Sequence, residues 1–382
     1  MGFHEFSSPY DWSRIAAYKR TAKAAFGGMI DLSVGSPVDP VPDSVRKALA
    51  VAANDPNAYG YPATAGTADL RAAIAEWFSA ARNVDLQAIH ADVVPTVGSK
   101  EGVALMASLL HFGEDDVVVQ PKVSYPTYEI GTQLAGAQVL KVDDVADVAS
   151  WRNVPGVKAV WVNSPCNPTG EVYSAERMAG IVAAVREIGA VVLSDECYAL
   201  MQWRGATNSA DDDPLQSTPC ALRSDVCAGS AEGVLVLYSL SKQSNMAGYR
   251  TAFIAGDESL IASMSAYRKQ IGQIIPGPAQ AAMAAGLRDL ESVKVQHARY
   301  RERLGVLVSA LRAYGYCTDM PDGALYVWVR AKSGDCWTDM EQLAKIGIIA
   351  SPGEFYGAPE CLRFSATASD EAIASAAERL AR

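Results

Sequence analysis

Between residues 68 and 260 the chain alternates two hydrophobic periods. Ala68 to Arg82 places Leu70, Ile74, Trp77 and Phe78 on one stripe, the spacing of an amphipathic helix. Short apolar runs then recur at Val117-Val118-Val119, Val139-Leu140, Val157 to Val162, Val191 to Leu193, Val234 to Leu237 and Thr251 to Ala255. Helix-like segments such as Ala175 to Ile188 lie between several of them. Near-continuous apolar strands alternating with helices predict an α/β chain with a mainly parallel sheet between helices. After Pro276-Gly277-Pro278 the pattern is helical through Arg312. The remainder mixes a strand-like Tyr326-Val327-Trp328-Val329, a helix-like Met340 to Ile346 and a terminal helix, and reads as a smaller α+β domain. No repeat is present. Gly205 to Glu232 is long and polar, carries Asp211-Asp212-Asp213-Pro214, and is expected as mobile surface.

Composition narrows the function classes. The chain has 382 residues, and at roughly 100–200 residues per domain two domains are expected. A net charge of −10 sets aside nucleic acid and anionic membrane as partners. No apolar run approaches the ~20 residues that cross a bilayer. Met1-Gly2-Phe3-His4-Glu5-Phe6 lacks the basic and apolar regions of a signal peptide. Seven cysteines without a CxxC pair suggest reduced thiols in the cytoplasm, and the four histidines share no ligand spacing, so no metal site is expected.

Three segments carry chemistry. In Ser239-Leu240-Ser241-Lys242-Gln243-Ser244-Asn245-Met246-Ala247-Gly248-Tyr249-Arg250, a lysine lies near two serines and an arginine, directly after an apolar run. A buried lysine can lose its proton and attack an aldehyde. Ser239, Ser241 and Arg250 can hold a phosphate, since arginine offers a planar fork of donors. An amine beside a phosphate clamp is what pyridoxal 5'-phosphate requires. In Val191-Val192-Leu193-Ser194-Asp195-Glu196-Cys197-Tyr198, a strand-like run ends on an acid. Asp195 can keep a pyridine nitrogen protonated, and Tyr198 is near enough to bond the ring's phenolic oxygen. Asn163-Ser164-Pro165-Cys166-Asn167-Pro168-Thr169-Gly170 forms a rigid turn after the run Val157 to Val162. Ligands of open α/β sheets collect at such carboxyl edges, where Asn167 can donate to the same ring oxygen. Thr96-Val97-Gly98-Ser99-Lys100-Glu101-Gly102 precedes a helix-like Val103 to Phe112 and reads equally as an anion-binding turn or a simple serine N-cap.

Asn-Pro-x-Gly, Ser-Asp-Glu-x-Tyr and Ser-x-Ser-Lys-(x)5-Gly-x-Arg, in that order, resemble the fold-type I aminotransferases dependent on pyridoxal phosphate. The resemblance runs from Leu32-Ser33-Val34-Gly35-Ser36-Pro37 to Leu362-Arg363-Phe364-Ser365. It implies a large cofactor domain at residues 40–288 and a small domain built from 1–39 and 289–382. It implies that Ser99 and Lys100 hold the phosphate, that Tyr125 stacks on the pyridine ring, and that Tyr61 reaches the phosphate of a neighbouring subunit, making a homodimer with composite sites. Lys242 then carries the cofactor as a Schiff base and serves as the general base. Arg363 clamps the substrate α-carboxylate, with Gly35 and Asn167 completing that pocket.

Finer text is similar to the actinobacterial succinyldiaminopimelate aminotransferases: Leu32 to Pro42, Gly98-Ser99-Lys100-Glu101, Ser239 to Arg250, and Ala350-Ser351-Pro352-Gly353-Glu354-Phe355-Tyr356-Gly357. That resemblance implies amino-acid and 2-oxo-acid substrates, N-succinyl-diaminopimelate with the pair glutamate and 2-oxoglutarate. Lys100, Arg268 and Lys269 are candidate contacts for distal carboxylates. Other readings are an aminotransferase for aspartate, alanine or an aromatic amino acid, a β-lyase on the same cofactor, or a regulator with an aminotransferase-like domain. The regulator would need a basic DNA-binding segment before Leu32, and the first 31 residues are neither long nor basic enough.

Overall fold

A computed structural model describes residues 11–56, 58–203 and 218–382. Its centre is a seven-stranded sheet. In spatial order the strands are Ala91–Val97, Thr251–Asp257, Val234–Ser239, Val191–Asp195, Val157–Asn163, Val117–Pro121 and Gln138–Val142. Thr251–Asp257 runs antiparallel to both neighbours, and the remaining pairings are parallel.

Side-chain alternation explains why the strands read as continuous apolar runs. Val117, Val119, Val160, Val162, Val192, Val234 and Val236 enter one core. Val118, Ala159, Trp161, Leu193, Leu235 and Leu237 enter another. Successive side chains point to opposite faces, and both faces are covered, so each position in a strand favours an apolar residue. Helices Ala68–Arg82, Ala175–Glu187 and Gly277–Arg288 cover the first face, and Ser99–Leu109 and Glu258–Gln270 the second.

A second body has its own core, including Ile15, Ile30, Leu32, Tyr300, Leu304, Leu343, Phe364 and Ile373. It holds the antiparallel sheet of Ser351–Pro352, Cys361–Ser365 and Tyr326–Arg330. The early strand Ile30–Asp31 pairs in parallel with Ile348–Ile349, which ties the N-terminal segment to the C-terminal third.

Several expectations need correction. The helical pattern after Pro278 is two helices, Gly277–Arg288 and Leu290–Ala313. Asp289 leaves the helical conformation between them, and its carboxylate accepts from the Ser292 N–H at 3.1 Å, so it caps the second helix. The helix expected from Val103 begins at Ser99, and the one expected from Met340 begins at Cys336, capped by Asp335. Of the segment expected as mobile surface, residues 205–217 lie outside the described residues. The rest is surface only in part: Cys220, Ala221 and Leu222 are fully buried, whereas Ser224, Asp225, Ala228 and Gly229 are exposed.

Candidate active site

The strand ends bring the candidate residues together. Asp195 ends its strand in register with Asn163 of the neighbouring strand. Ser239 ends the next strand, and its hydroxyl caps the short helix Leu240–Gln243 that carries Lys242. Ala91–Val97 runs into Gly98 and the helix Ser99–Leu109. Arg363 arrives from the smaller sheet. These residues line one cavity of about 330 Å³ with Gly35, Tyr125, Asn167, Tyr198, Ser241 and Arg250. Tyr61 does not: it is fully exposed outside the cavity. Arg268 is also elsewhere, fully buried and paired with Glu101 at 2.7 Å. Lys269 is exposed and does not line the cavity, whereas Lys100 lines it.

Asp195 is buried and held by named donors. Its carboxylate accepts from the Tyr128 hydroxyl at 2.8 Å and from the Cys197 N–H at 3.2 Å. Asn163 donates to its carbonyl at 2.9 Å, and Asn163 Oδ1 accepts from the Asn167 N–H at 2.8 Å, so one side chain joins the acid to the rigid turn. Burial raises the Asp195 carboxyl above its ordinary range, against the pull of those hydrogen bonds. Such a carboxylate gains from a cationic partner. Tyr128 stacks on Trp161 at 4.5 Å, which fixes the donor.

Lys242 Nζ donates to the Gly35 carbonyl. Burial holds its amine below the usual lysine range; the Tyr326 phenol opposes this and the Arg363 guanidinium adds to it. A lysine with a reduced proton affinity is closer to the neutral nucleophile that an aldehyde needs.

Arg363 is buried, and its fork is aimed. Nη1 donates to Asn167 Oδ1 at 2.7 Å and Nη2 to the Ser33 carbonyl at 2.8 Å. Nε is buried with no hydrogen-bond partner among the described residues. The guanidinium lies 3.9 Å from the centre of the Tyr326 ring. A buried guanidinium with no carboxylate partner among the described residues suits an anionic ligand.

The opposite end suits a phosphate. Gly98 has φ +79° and no side chain caps the helix it begins. Any Cβ at Gly98 would collide with the Arg250 guanidinium, so the glycine lets that cation lie against the helix start. Arg250 itself is held in the left-handed region at φ 55° and donates to Ala247 O at 2.7 Å and Val97 O at 3.3 Å. Ser239 Oγ and Ser241 Oγ are 2.8 Å apart beside it. A free helix start, two hydroxyls and an arginine are a fitting donor set for a dianion. With Asp195 for a basic ring nitrogen and Lys242 for an aldehyde carbon, the donor set as a whole fits pyridoxal phosphate.

Tyr326, Asn163, Tyr128, Trp12, Phe355 and Tyr356 extend the site beyond the residues expected from motifs. Asn163 lay inside the segment read for Asn167, and Tyr128 lies three residues after Tyr125. Tyr326 lay in an expected strand whose apolar neighbours hid it.

The family model "Aminotransferase class I and II" matches residues 27–380. The chain is 39% identical over 373 residues to a 4-dedimethylamino-4-oxo-anhydrotetracycline transaminase of Streptomyces rimosus, covering 97% of this chain and 98% of that one. It is also 39% identical over 377 residues to a "probable aminotransferase" of Mycobacterium tuberculosis, covering 97% and 84%. Among solved structures, a "probable N-succinyldiaminopimelate aminotransferase" of Thermus thermophilus superposes with a TM-score of 0.81 at 26% identity, covering 97% and 99%.

Proposed function

Because the chain belongs to the class I and II aminotransferases, which depend on pyridoxal 5'-phosphate, we propose that this cavity exchanges an amino group between N-succinyl-LL-2,6-diaminopimelate and 2-oxoglutarate. When bound, the cofactor supplies the electron sink that stabilises negative charge at the substrate Cα. Lys242 would hold the cofactor through its amine, and the same amine would accept the Cα proton. One tethered amine can serve both tasks because it stays within reach of both atoms. Asp195 holds the proton on the ring nitrogen, with Tyr128 and Cys197 fixing the carboxylate. Tyr198 and Asn167 donate to the ring oxygen, and Tyr125 packs on the ring. Ser99, Lys100, Ser239, Ser241 and Arg250 bind the phosphate. Arg363 binds the α-carboxylate, with Asn167 and Gly35 shaping its pocket. Tyr61 serves the phosphate of a second copy of the chain.

The observation that carries this reading is the convergence of an amine with weakened proton affinity, a buried acid and a buried, under-partnered arginine on one cavity. The substrate name rests on the quoted segments and on the likeness to the Thermus protein. Of the three cations read for a distal carboxylate, Lys100 lines the cavity, where it already serves the phosphate.

A second reading has its own support. Trp12, Val34 and Phe355 add an apolar wall, with Trp12 and Phe355 meeting edge to face at 5.1 Å. Such a wall suits a bulky cyclic keto substrate, and the Streptomyces rimosus relative is a 4-dedimethylamino-4-oxo-anhydrotetracycline transaminase. Comparing kcat/KM across succinyl-diaminopimelate, aspartate, alanine, phenylalanine and a bulky cyclic amine separates these. Succinyl-diaminopimelate should lead by tenfold or more, about 1.4 kcal/mol of transition-state preference. A lead of that size for any other donor contradicts the named substrate and leaves the family assignment intact.

A further inference from the structure

Tyr326 begins the strand Tyr326–Arg330 of the smaller sheet and is 2% exposed. Its hydroxyl nevertheless reaches across to Tyr198, three residues after Asp195, with the two oxygens 2.7 Å apart. The two rings meet edge to face at 5.6 Å. Other contacts fix the phenol. Gly35 passes so close that a Cβ there would collide with the Tyr326 hydroxyl, and the Gly35 carbonyl accepts from Lys242 Nζ. The Arg363 guanidinium covers the Tyr326 ring. Resting on the reading above, in which Tyr198 donates to the cofactor's ring oxygen, we propose that Tyr326 is a positioning residue that decides where the Tyr198 proton points.

A phenol has one proton to donate and lone pairs to accept with. While Tyr326 keeps its proton, it can donate to the Tyr198 oxygen, and Tyr198 is free to donate into the cavity. Once Tyr326 loses its proton to solvent, the phenolate is a charged acceptor at hydrogen-bond distance. Hydrogen bonds to charged acceptors are about twice as strong as neutral ones. The Tyr198 proton therefore turns back onto Tyr326 and away from the cavity.

The charged and titratable groups facing Tyr326 are Lys242, Arg363, Tyr198 and Cys197, with Tyr300 behind. Burial pushes the phenol up, but the Lys242 ammonium and the Arg363 guanidinium outweigh it, helped by the Tyr198 hydrogen bond, and bring it below the usual tyrosine range. Burial and then Tyr326 itself push Tyr198 well above that range. The pair therefore titrates in two steps, with the first proton leaving from the Tyr326 side. In the loaded chain, where Lys242 carries the cofactor, the Arg363 guanidinium and the Tyr198 hydrogen bond remain to favour the phenolate, which places the switch in the alkaline limb of the rate.

Two measurements test this on the full chain. Tyrosinate absorbance of the cofactor-free protein should show one step below the ordinary phenol range, absent in Tyr326→Phe and moved to higher pH in Tyr198→Phe, which removes the stabilising donor. In the holoenzyme, Tyr326→Phe keeps the ring under Arg363 and should move the alkaline limb of kcat/KM up by about one pH unit or more, with cofactor affinity changed less than about threefold. An early tyrosinate step that persists in Tyr326→Phe, or an alkaline limb that stays in place, overturns the proposal alone. A chain that takes no cofactor at Lys242 overturns the aminotransferase reading and this proposal with it.

Discussion

Lys242 sits where its own charge is disfavoured, and that has a consequence for the cofactor-free chain. Its folded-state pKa lies below the unfolded lysine value, so between the two the unfolded chain binds more protons. Stability should therefore rise with pH through that window, up to the ordinary lysine range near ~10.4. Cofactor-free Lys242→Met should resist urea better than the unsubstituted chain at pH 7, and the difference should shrink as pH approaches that range. Equal midpoints at pH 7 would mean that the amine is solvated in the folded state. Arg363 makes the complementary case. Its two aimed Nη groups already engage Asn167 and Ser33, which fixes the fork beside the cavity. Arg363→Lys keeps the charge and loses the planar pair of donors. With charged hydrogen bonds at ~1.5–3 kcal/mol each, steady-state kinetics should show kcat/KM falling at least tenfold for amino donor and 2-oxo acceptor alike. A loss confined to one partner would place the shared α-carboxylate elsewhere.

At the scale of elements, we propose the start of the helix Ser99–Leu109 as the phosphate end of the site. Gly98→Ala strains a backbone at φ +79° and drives a methyl into Arg250. Equilibrium dialysis should show cofactor bound at least tenfold more weakly, beyond the ~1–3 kcal/mol of stability that such backbone strain costs in urea. Unchanged affinity would remove this helix start from the phosphate site. The same scale shows what could be read in advance. The central strands were legible because both faces of their sheet are buried, which forces runs such as Val234 to Leu237 to be apolar throughout. The break at Asp289 was not, because helical periodicity continues on both sides and a single capping aspartate gives little warning. The motif residues were legible because each stands at a strand end with its chemistry in a short local context. Tyr326 was not, since its partner Tyr198 lies 128 residues away in the chain and only tertiary packing joins the two sheets. Arg268 misled for the opposite reason: a cation on an amphipathic helix looks available until Glu101 is found beneath it.

At the scale of the whole molecule, the mainly parallel sheet supplies the acid, the amine and the free helix start beside Arg250, while the smaller sheet supplies Arg363 and Tyr326. Tyr61 is left fully exposed and outside that cavity. If it serves a second copy, mixing Lys242→Ala chains with chains inactivated at Tyr61 should restore activity in heterodimers, where one of two sites is intact. Demonstrated heterodimers without recovery would exclude that role. Borohydride reduction of the cofactor-loaded protein tests whether Lys242 is the amine that carries the cofactor. Reduction should bleach the bound chromophore and leave the pyridoxyl group on the peptide containing Lys242 alone, with Lys242→Ala unlabelled; a label on another lysine, or no label at all, would contradict the account.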